Sequence, residues 1–381
     1  MKGLFIHFFG LKEFSGISKK IICQIEALER SGLKMQFCYI DIDDERVQRR
    51  VCSGTEIDNF GNGFISKFGK WLAFKNLTNY IISNNIEFVY IRSFYNTNPL
   101  FLRMLSKLKR RGVKVVMEYP TYPYDKETQR EYYMYKPIFF INRIFRRFLK
   151  GRLDRIVTFT NLEFIDGVKT INISNAIDFD SVGLTKRVFG ADDTFNLLGV
   201  AEVHFWHGYD RVIAGLVNYY KNNKLGPDIH FHIVGAGAEA DLAHLKEITA
   251  KCGMGDYVHF HGNRRSDELD KFFDIADFGI ASLARHRTGI THIKTLKNRE
   301  YAARGIPFIY SEIDEDFEHM PYILKATADE SAIDINRIIE FKKGLNLTPV
   351  QIRESITGKL SWDVQMKRVV DDVFMQSTKG I

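Results

Sequence analysis

The chain has no apolar run near the roughly 18 residues that a bilayer-crossing helix needs. That excludes a helical integral membrane protein. Cysteine is scarce, with four in 381 residues (Cys23, Cys38, Cys52 and Cys252). They form no CxxC pair and no metal-ligand spacing, so neither a disulfide framework nor a structural zinc site is expected. Low-complexity tracts and internal repeats are lacking, which removes solenoids and linker-dominated chains. The N-terminal Lys2-Gly-Leu-Phe-Ile-His-Phe-Phe-Gly10 is apolar like a signal peptide. It has no small-residue cleavage site and runs into Lys12-Glu13, so it reads as a first core strand. A cytoplasmic protein with free thiols is expected.

What is present is an ordinary globular balance, 45% hydrophobic and 27% charged, over a length that fits two domains. The net charge of +7 favours anionic partners: sugar nucleotides, phospholipid surfaces or nucleic acid. The basic residues are dispersed and no nucleic-acid recognition motif occurs, so nucleic acid is set aside.

Strands and helices alternate throughout. Strands are expected at Leu4–Phe9, Met35–Ile40, Phe88–Ile91, Val113–Met117, Arg155–Phe159 and Thr170–Ile173. Helices are expected at Ser18–Ser31, Phe64–Ser83 and Pro99–Arg111. A second series begins near residue 195. It has strands at Asn196–Val200, Ile229–Val234, Tyr257–His261 and Phe278–Ala281, and helices at Tyr209–Asn222, from Glu239 to about Cys252, and at Ser266–Ile275. The pattern implies an α/β protein of two doubly wound units joined around Asp178–Asp193. Ligands of such sheets bind at the carboxyl ends of strands where the strand order reverses, and two facing units suggest a cleft between them.

The most informative stretch is Lys294-Thr-Leu-Lys-Asn-Arg-Glu300-Tyr-Ala-Ala-Arg-Gly305-Ile-Pro307-Phe-Ile-Tyr-Ser311. It reads as a short helix, a stop at Gly305 and Pro307, and a buried strand. Amides at the start of such a helix attract phosphate. Glu300 can accept two hydroxyl hydrogen bonds, as holding a ribose requires.

The second half resembles the C-terminal domain of GT-B glycosyltransferases of the retaining family-4 (group 1) type. The landmarks fall in order: Gly199-Val-Ala-Glu-Val-His-Phe-Trp-His207-Gly208-Tyr-Asp210-Arg211, Ile233-Val-Gly235-Ala-Gly237-Ala-Glu239, Val258-His-Phe-His-Gly262, Ala276-Asp277, Glu300-Tyr-Ala-Ala-Arg-Gly305-Ile-Pro307, and Leu360-Ser-Trp362. In the first half, Phe14-Ser-Gly16 fits the glycine loop that faces the donor phosphates. Asn172-Ile-Ser-Asn175-Ala-Ile-Asp178 resembles the segment that closes the first domain. The resemblance implies a GT-B architecture, two Rossmann-like domains facing across a cleft. Residues 1–180 would form the acceptor-side domain, 181–362 the nucleotide-sugar domain, and a last helix, 363–381, would pack back on the first.

It further implies a nucleoside-diphosphate sugar donor, most often uridine-linked, and transfer with retention to a saccharide or polyprenyl-diphosphate-linked saccharide in bacterial surface polysaccharide synthesis. No cofactor and no metal are implied. Donor contacts carry over to Gly16, His207, Arg211, Gly235, Gly262, Lys294, Thr295 and Glu300. The family's first motif glutamate falls at His292, which could bond a sugar hydroxyl or the phosphate. The family's diphosphate-binding Arg and Lys fall at Glu202 and His207. A departing diphosphate still needs positive charge. His207, Arg211, Lys294, Lys297, Arg285 and Arg287 are the candidates, with Lys297 and Arg211 favoured. Glu118 and Asp125, past a first-domain strand, could meet a sugar hydroxyl or assist acceptor deprotonation, beside the aromatic walls of Tyr122 and Tyr124. Glu118, His292 and Lys297 are thus the catalytic candidates. Two other classes share the pattern: a sugar-nucleotide 2-epimerase of GT-B fold and a non-catalytic nucleotide-sugar binder.

Arg143, Arg146, Arg147 and Lys150 repeat at helical spacing, and Ile141, Ile144, Phe145 and Phe148 repeat it on another face. Two readings stand: an anionic membrane surface met by Ile141–Lys150, which would place the protein peripherally on the inner face of the plasma membrane, or a surface helix with its apolar stripe in the core. Asp41-Ile-Asp43 and Glu312-Ile-Asp314-Glu-Asp316 look superficially metal-binding and are read as solvated loops.

Overall fold

The structure, a computed structural model, describes residues 1–11, 16–122, 136–190, 193–222 and 226–375. Its chain contacts divide it into two compact units, Met1–Ser174 with Trp362–Ile381, and Asn175–Ser361.

Unit 1 carries β1 (Lys2–Ile6), α1 (Gly16–Arg30), β2 (Lys34–Ile42), β3 (Gln48–Cys52), β4 (Thr55–Gly61), α2 (Phe64–Leu72), α3 (Lys75–Ser83), β5 (Phe88–Arg92), α4 (Pro99–Arg110), β6 (Lys114–Tyr119), α5 (Lys136–Phe145), β7 (Arg155–Thr158), β8 (Phe164–Ile165) and β9 (Val168–Asn172). The sheet order is β4-β3-β2-β1-β5-β6-β7-β9-β8. β1 pairs in parallel with both β2 and β5, so the strand order reverses between β1 and β5. β5 is buried along its whole length, as a strand covered by helices on both faces must be. Asn98 caps α4, its Oδ1 accepting from the amides of Leu100 and Phe101 at 2.9 and 3.1 Å, and Pro99 opens the helix.

Two expectations change here. The single helix read over Phe64–Ser83 is two, because Ala73 is extended and separates α2 from α3. Arg50 explains the break. Its buried guanidinium donates to the carbonyls of Lys70 (2.8 Å) and Ala73 (2.5 Å) and pairs with Asp58 at 2.5 Å. Arg50 lies in β3, and β3 and β4 form an antiparallel hairpin that the sequence reading left blank. Its turn is Ser53-Gly54, both at positive φ.

Unit 2 carries β10 (Thr194–Val200), α6 (Tyr209–Asn222), β11 (Asp228–Val234), α7 (Glu239–Lys251), β12 (Val258–Gly262), α8 (Ser266–Ile275), β13 (Phe278–Ile280), α9 (Leu296–Ala303), β14 (Phe308–Tyr310), β15 (Ile323–Lys325), α10 (Ile335–Gly344) and α11 (Pro349–Thr357). All described pairings between its strands are parallel, in the order β12-β11-β10-β13-β14-β15. The reversal lies between β10 and β13. The chain then returns to unit 1 as α12 (Trp362–Met375), where Trp362 is buried and Asp363 meets Arg30 at 2.7 Å.

On one face of unit 2 four histidines form two edge-to-edge pairs. His230 Nδ1 stands 3.0 Å from His259 Nε2, and His232 Nδ1 stands 3.0 Å from His261 Nε2. Ring centroids 5.2 Å apart at 28° and 23° place the nitrogens nearly in line, the geometry of an N–H···N bond. His232 Nε2 also lies 3.1 Å from Asn196 Oδ1. Burial pushes His232 down to about 3, and neighbouring imidazoles push the same way. Among the described residues, no group of three or more His, Cys, Asp or Glu side chains is arranged to hold a metal ion.

Candidate functional site

The carboxyl ends of β10, β13 and β14 converge with the first turn of α9 at the reversal point of unit 2. Two of the loops leaving these strands are zipped together by backbone. Leu283 and Ala284 donate to the carbonyls of His207 and Trp206 at 3.0 and 3.2 Å. On the other side of β10, Val203 donates to Ala236 at 2.7 Å and Ala238 donates to Val203 at 3.2 Å. A Cβ at Gly235 would stand 1.8 Å from the Ala201 carbonyl, and one at Gly237 1.9 Å from that of Val203. These two glycines let one loop lie against the other. The Gly235 amide is given to the Gly262 carbonyl at 2.8 Å, so both expected donor-binding glycines are occupied in joining loops.

α9 forms because Thr295 caps it, accepting from the Asn298 amide at 3.4 Å. Arg299, fully buried, anchors the helix. It pairs with Asp314 and Asp316, and it donates to the carbonyls of Asn175 at 2.9 Å and Thr295 at 3.1 Å. Asn298 donates to Asp314 at 3.0 Å. Asp314 and Glu312 are therefore buried, which corrects the reading of Glu312–Asp316 as a solvated loop. They follow a buried parallel strand, and position after such a strand was the available signal.

Lys297 is half-buried, and its Nζ is closed to solvent and has no hydrogen-bond partner. Both carboxylate oxygens of Glu312 are in the same state. Burial lowers Lys297 to about 7, with Arg285 pushing further and Glu312 opposing. Burial raises Glu312 to about 7 against its own backbone amide and the pull of Arg285 and Lys297. His207 joins this cluster. It is buried, and its Nδ1 accepts from the His204 amide at 3.0 Å, which leaves the ring proton on Nε2. Burial, then the charges of Lys297 and Arg285, hold His207 well below its ordinary value. It is a neutral hydrogen-bond donor, not the cation the sequence reading considered. Arg285 lies over the Trp206 ring at 5.3 Å.

Arg211 belongs elsewhere. Its buried guanidinium donates to the carbonyls of Leu283, Thr327 (3.1 Å) and Ser331 (2.7 Å), and it reaches Asp329 at 3.3 Å. Such a side chain braces loops and is not available to neutralise a diphosphate. Arg287 is likewise held by Asp210 at 2.6 Å and by Glu330. The buried Lys294 stands 3.9 Å from Glu315, and its carbonyl accepts from Asn175 at 2.6 Å. Glu300, half-buried, receives Arg304 at 3.2 Å, and Arg304 is fixed in turn by Asp270 at 2.6 Å. His292 is exposed and meets Glu315 at 3.2 Å.

In unit 1, Gly16 opens α1, and Tyr122 stacks on Tyr119 with ring centroids 6.1 Å apart. Tyr124 and Asp125 lie outside the described residues. Glu118, at the end of β6, is 0% exposed. It receives Arg92 at 2.5 Å, Tyr90 at 2.6 Å, Gln24 at 2.7 Å and Lys20 at 3.1 Å. Burial alone would raise it, but Lys20, Arg92 and these hydrogen bonds overcome burial and hold it at about 2. A carboxylate so enclosed is a counter-ion. It is a poor base for an acceptor hydroxyl.

No family model matches the chain, and no curated protein does. Solved structures match over its whole length. Sucrose-phosphate synthase from Thermosynechococcus elongatus aligns with TM-score 0.70 at 12% identity over 100% of both chains. The lipopolysaccharide outer core galactosyltransferase WaaB aligns with TM-score 0.61 at 12% identity over 99% of this chain and 100% of that one. Anabaena HepE in complex with UDP-glucose aligns with TM-score 0.62 at 13% identity over 100% of both. At such identities the likeness establishes the architecture, and that architecture is GT-B.

Proposed function

We propose that this GT-B chain is a glycosyltransferase. It takes a sugar from a nucleoside-diphosphate sugar, uridine-linked, and passes it with retention to a saccharide or lipid-linked saccharide acceptor in surface polysaccharide synthesis. One observation carries the reading: the Lys297 Nζ is buried without a partner at the point where the sheet order of unit 2 reverses. A buried amine left unbonded is costly. A diphosphate removes that cost by supplying charge and acceptors together. His207 adds a neutral Nε2–H donor, and the charge of Arg285 already bears on both residues.

Glu300 lies one turn beyond Lys297 on α9, with its carboxylate steadied by Arg304, and in this reading it accepts the ribose hydroxyls. The leaving diphosphate gains negative charge as the glycosidic bond breaks. A preorganised ammonium in a dry site stabilises that charge more than water would. HepE was solved with UDP-glucose, which supports the same donor class here. A second reading, a binder that holds the donor without transferring it, is favoured by His292. It stands where the family has a sugar-facing glutamate, and it is exposed and turned to Glu315.

The test is a thermal-shift screen across sugar nucleotides, since a ligand that binds only the folded chain raises its melting point. A UDP-sugar raises it, Glu300→Ala abolishes the rise, and labelled sugar appears on a lipid-linked saccharide. Donor affinity that survives Glu300→Ala would overturn the placement. Tight binding without transfer or hydrolysis would select the second reading.

A further inference from the structure

α5 is rotated relative to its sequence pattern, so that only part of the expected apolar stripe meets the core. The residues it offers to the core are Ile138, Asn142, Phe145 and, past its end, Leu149. The amide of Asn142 is used inside, where Oδ1 accepts from Thr97 N–H at 2.9 Å. Two of the four residues of the expected apolar stripe, Ile141 and Phe148, are therefore outside, and Phe140 is 66% exposed beside them. The cations share this outer surface. Arg143, Arg147 and Lys150 are exposed, and no carboxylate among the described residues pairs with them.

Lys150 also lines a groove of about 540 Å³, with Lys109, Arg110 and Arg152 as its other cations and Ser106 among its lining. Arg152 Nε is held by Ser106 Oγ at 2.9 Å, and Lys109 is balanced by Asp154 at 2.9 Å. The groove keeps a net positive lining.

We propose that this face of unit 1 docks on an anionic lipid bilayer. Phe140, Ile141 and Phe148 would enter the boundary between headgroups and acyl chains, while Arg143, Arg147 and Lys150 engage phosphates. The groove between α4 and residues 150–152 receives a phospholipid phosphate. A bilayer interface is the one environment that answers both halves of the surface, with hydrocarbon for the rings and anions for the cations. A second copy answers them poorly, since a two-fold contact would set the same cations face to face. A nucleic-acid backbone would meet the cations and leave Phe140 and Ile141 in water. No described helix is long and apolar enough to cross the membrane, so the contact is with the surface.

The experiment is flotation of the full chain with vesicles of phosphatidylcholine, alone or mixed with phosphatidylglycerol. Binding is expected on the mixed vesicles only, weakening with salt. Replacing Arg143, Arg147 and Lys150 together by alanine lowers the partition coefficient on the order of a hundredfold. Phe140→Ser with Phe148→Ser lowers it about tenfold. Both variants should keep the wild-type melting point and the donor-induced thermal shift, readouts that would expose a folding defect or a misassigned donor site separately. Equal binding to neutral vesicles, no binding to anionic ones, or a dimer in sedimentation that the serine pair dissociates would overturn the proposal.

Discussion

The two units treat the same place in their sheets in opposite ways. Each has charged side chains at the carboxyl ends of strands beside the reversal of strand order. In unit 1 the charges close on one another. Glu118 is ringed by Arg92, Lys20, Tyr90 and Gln24, and Lys20 is pulled down only to about 8, burial against Glu118. In unit 2 they do not close. Lys297 Nζ and both oxygens of Glu312 lie in the interior without a side-chain partner, although Arg285 is close enough to shift both. A completed network is a structural element, and removing a member leaves a buried charge exposed to its own desolvation. An incomplete network stores that cost until a ligand relieves it. That contrast is the basis on which the unit 2 cluster, and not the one around Glu118, is proposed to bind a ligand.

The contrast can be broken by mutation. The largest effect is expected from Glu118→Ala, which strands Arg92 and Lys20. It should destabilise the protein by about 3–5 kcal/mol in denaturant titration while a UDP-sugar still binds with wild-type affinity. Weakened donor binding at unchanged stability would reverse the assignment of the two clusters.

Lys297→Met should do the opposite. It keeps the volume and removes the unbonded amine, so the melting point holds or rises. Affinity for UDP-sugar falls on the order of a hundredfold. Only the ammonium form binds a diphosphate, and burial brings Lys297 down to about 7. Wild-type affinity should therefore drop about tenfold per pH unit above 7, with proton uptake visible by calorimetry in buffers of different ionisation enthalpy. A pH-independent affinity would remove Lys297 from the site.

The histidine pairs of unit 2 sharpen the comparison within a single unit, since they are self-paired like Glu118. His232 titrates near 3 when folded against 6.5 in the open chain. The unfolded form takes up protons first, and stability present above 6.5 is lost as pH falls toward 3. The loss reaches about 2 kcal/mol by pH 5. His232→Gln should flatten that melting-point profile and leave donor binding at neutral pH untouched. A flat wild-type profile would show that the rings remain protonatable in place.

Much of the architecture was readable in one dimension because parallel strands under helices carry unbroken apolar runs. Tyr209–Asn222 and Ser266–Ile275 fall where the periodicity puts them. The β3–β4 hairpin was not readable. Its residues are mostly charged or polar, and its pairing is signalled only by Ser53-Gly54. The break between α2 and α3 was hidden for a different reason: Arg50, which holds it open, is some twenty residues away in sequence. At the site, the helix bearing Lys297 and Glu300 could be located from its stop and the strand that follows. Charge state and partnership could not. Arg211 loses its expected role to carbonyls at 283, 327 and 331, and His207 loses its charge to burial. Both outcomes belong to tertiary structure.

The ownership of α12 bears on biosynthesis. Unit 2 is one uninterrupted stretch, Asn175–Ser361, whereas unit 1 needs a helix made after it. On the ribosome, the sheet of unit 1 would wait with the α1 surface that α12 later covers still uncovered, while all of unit 2 is translated. The first half to be synthesised is thus the last to be completed, and its provisional state is where a holding chaperone would find apolar surface to grip.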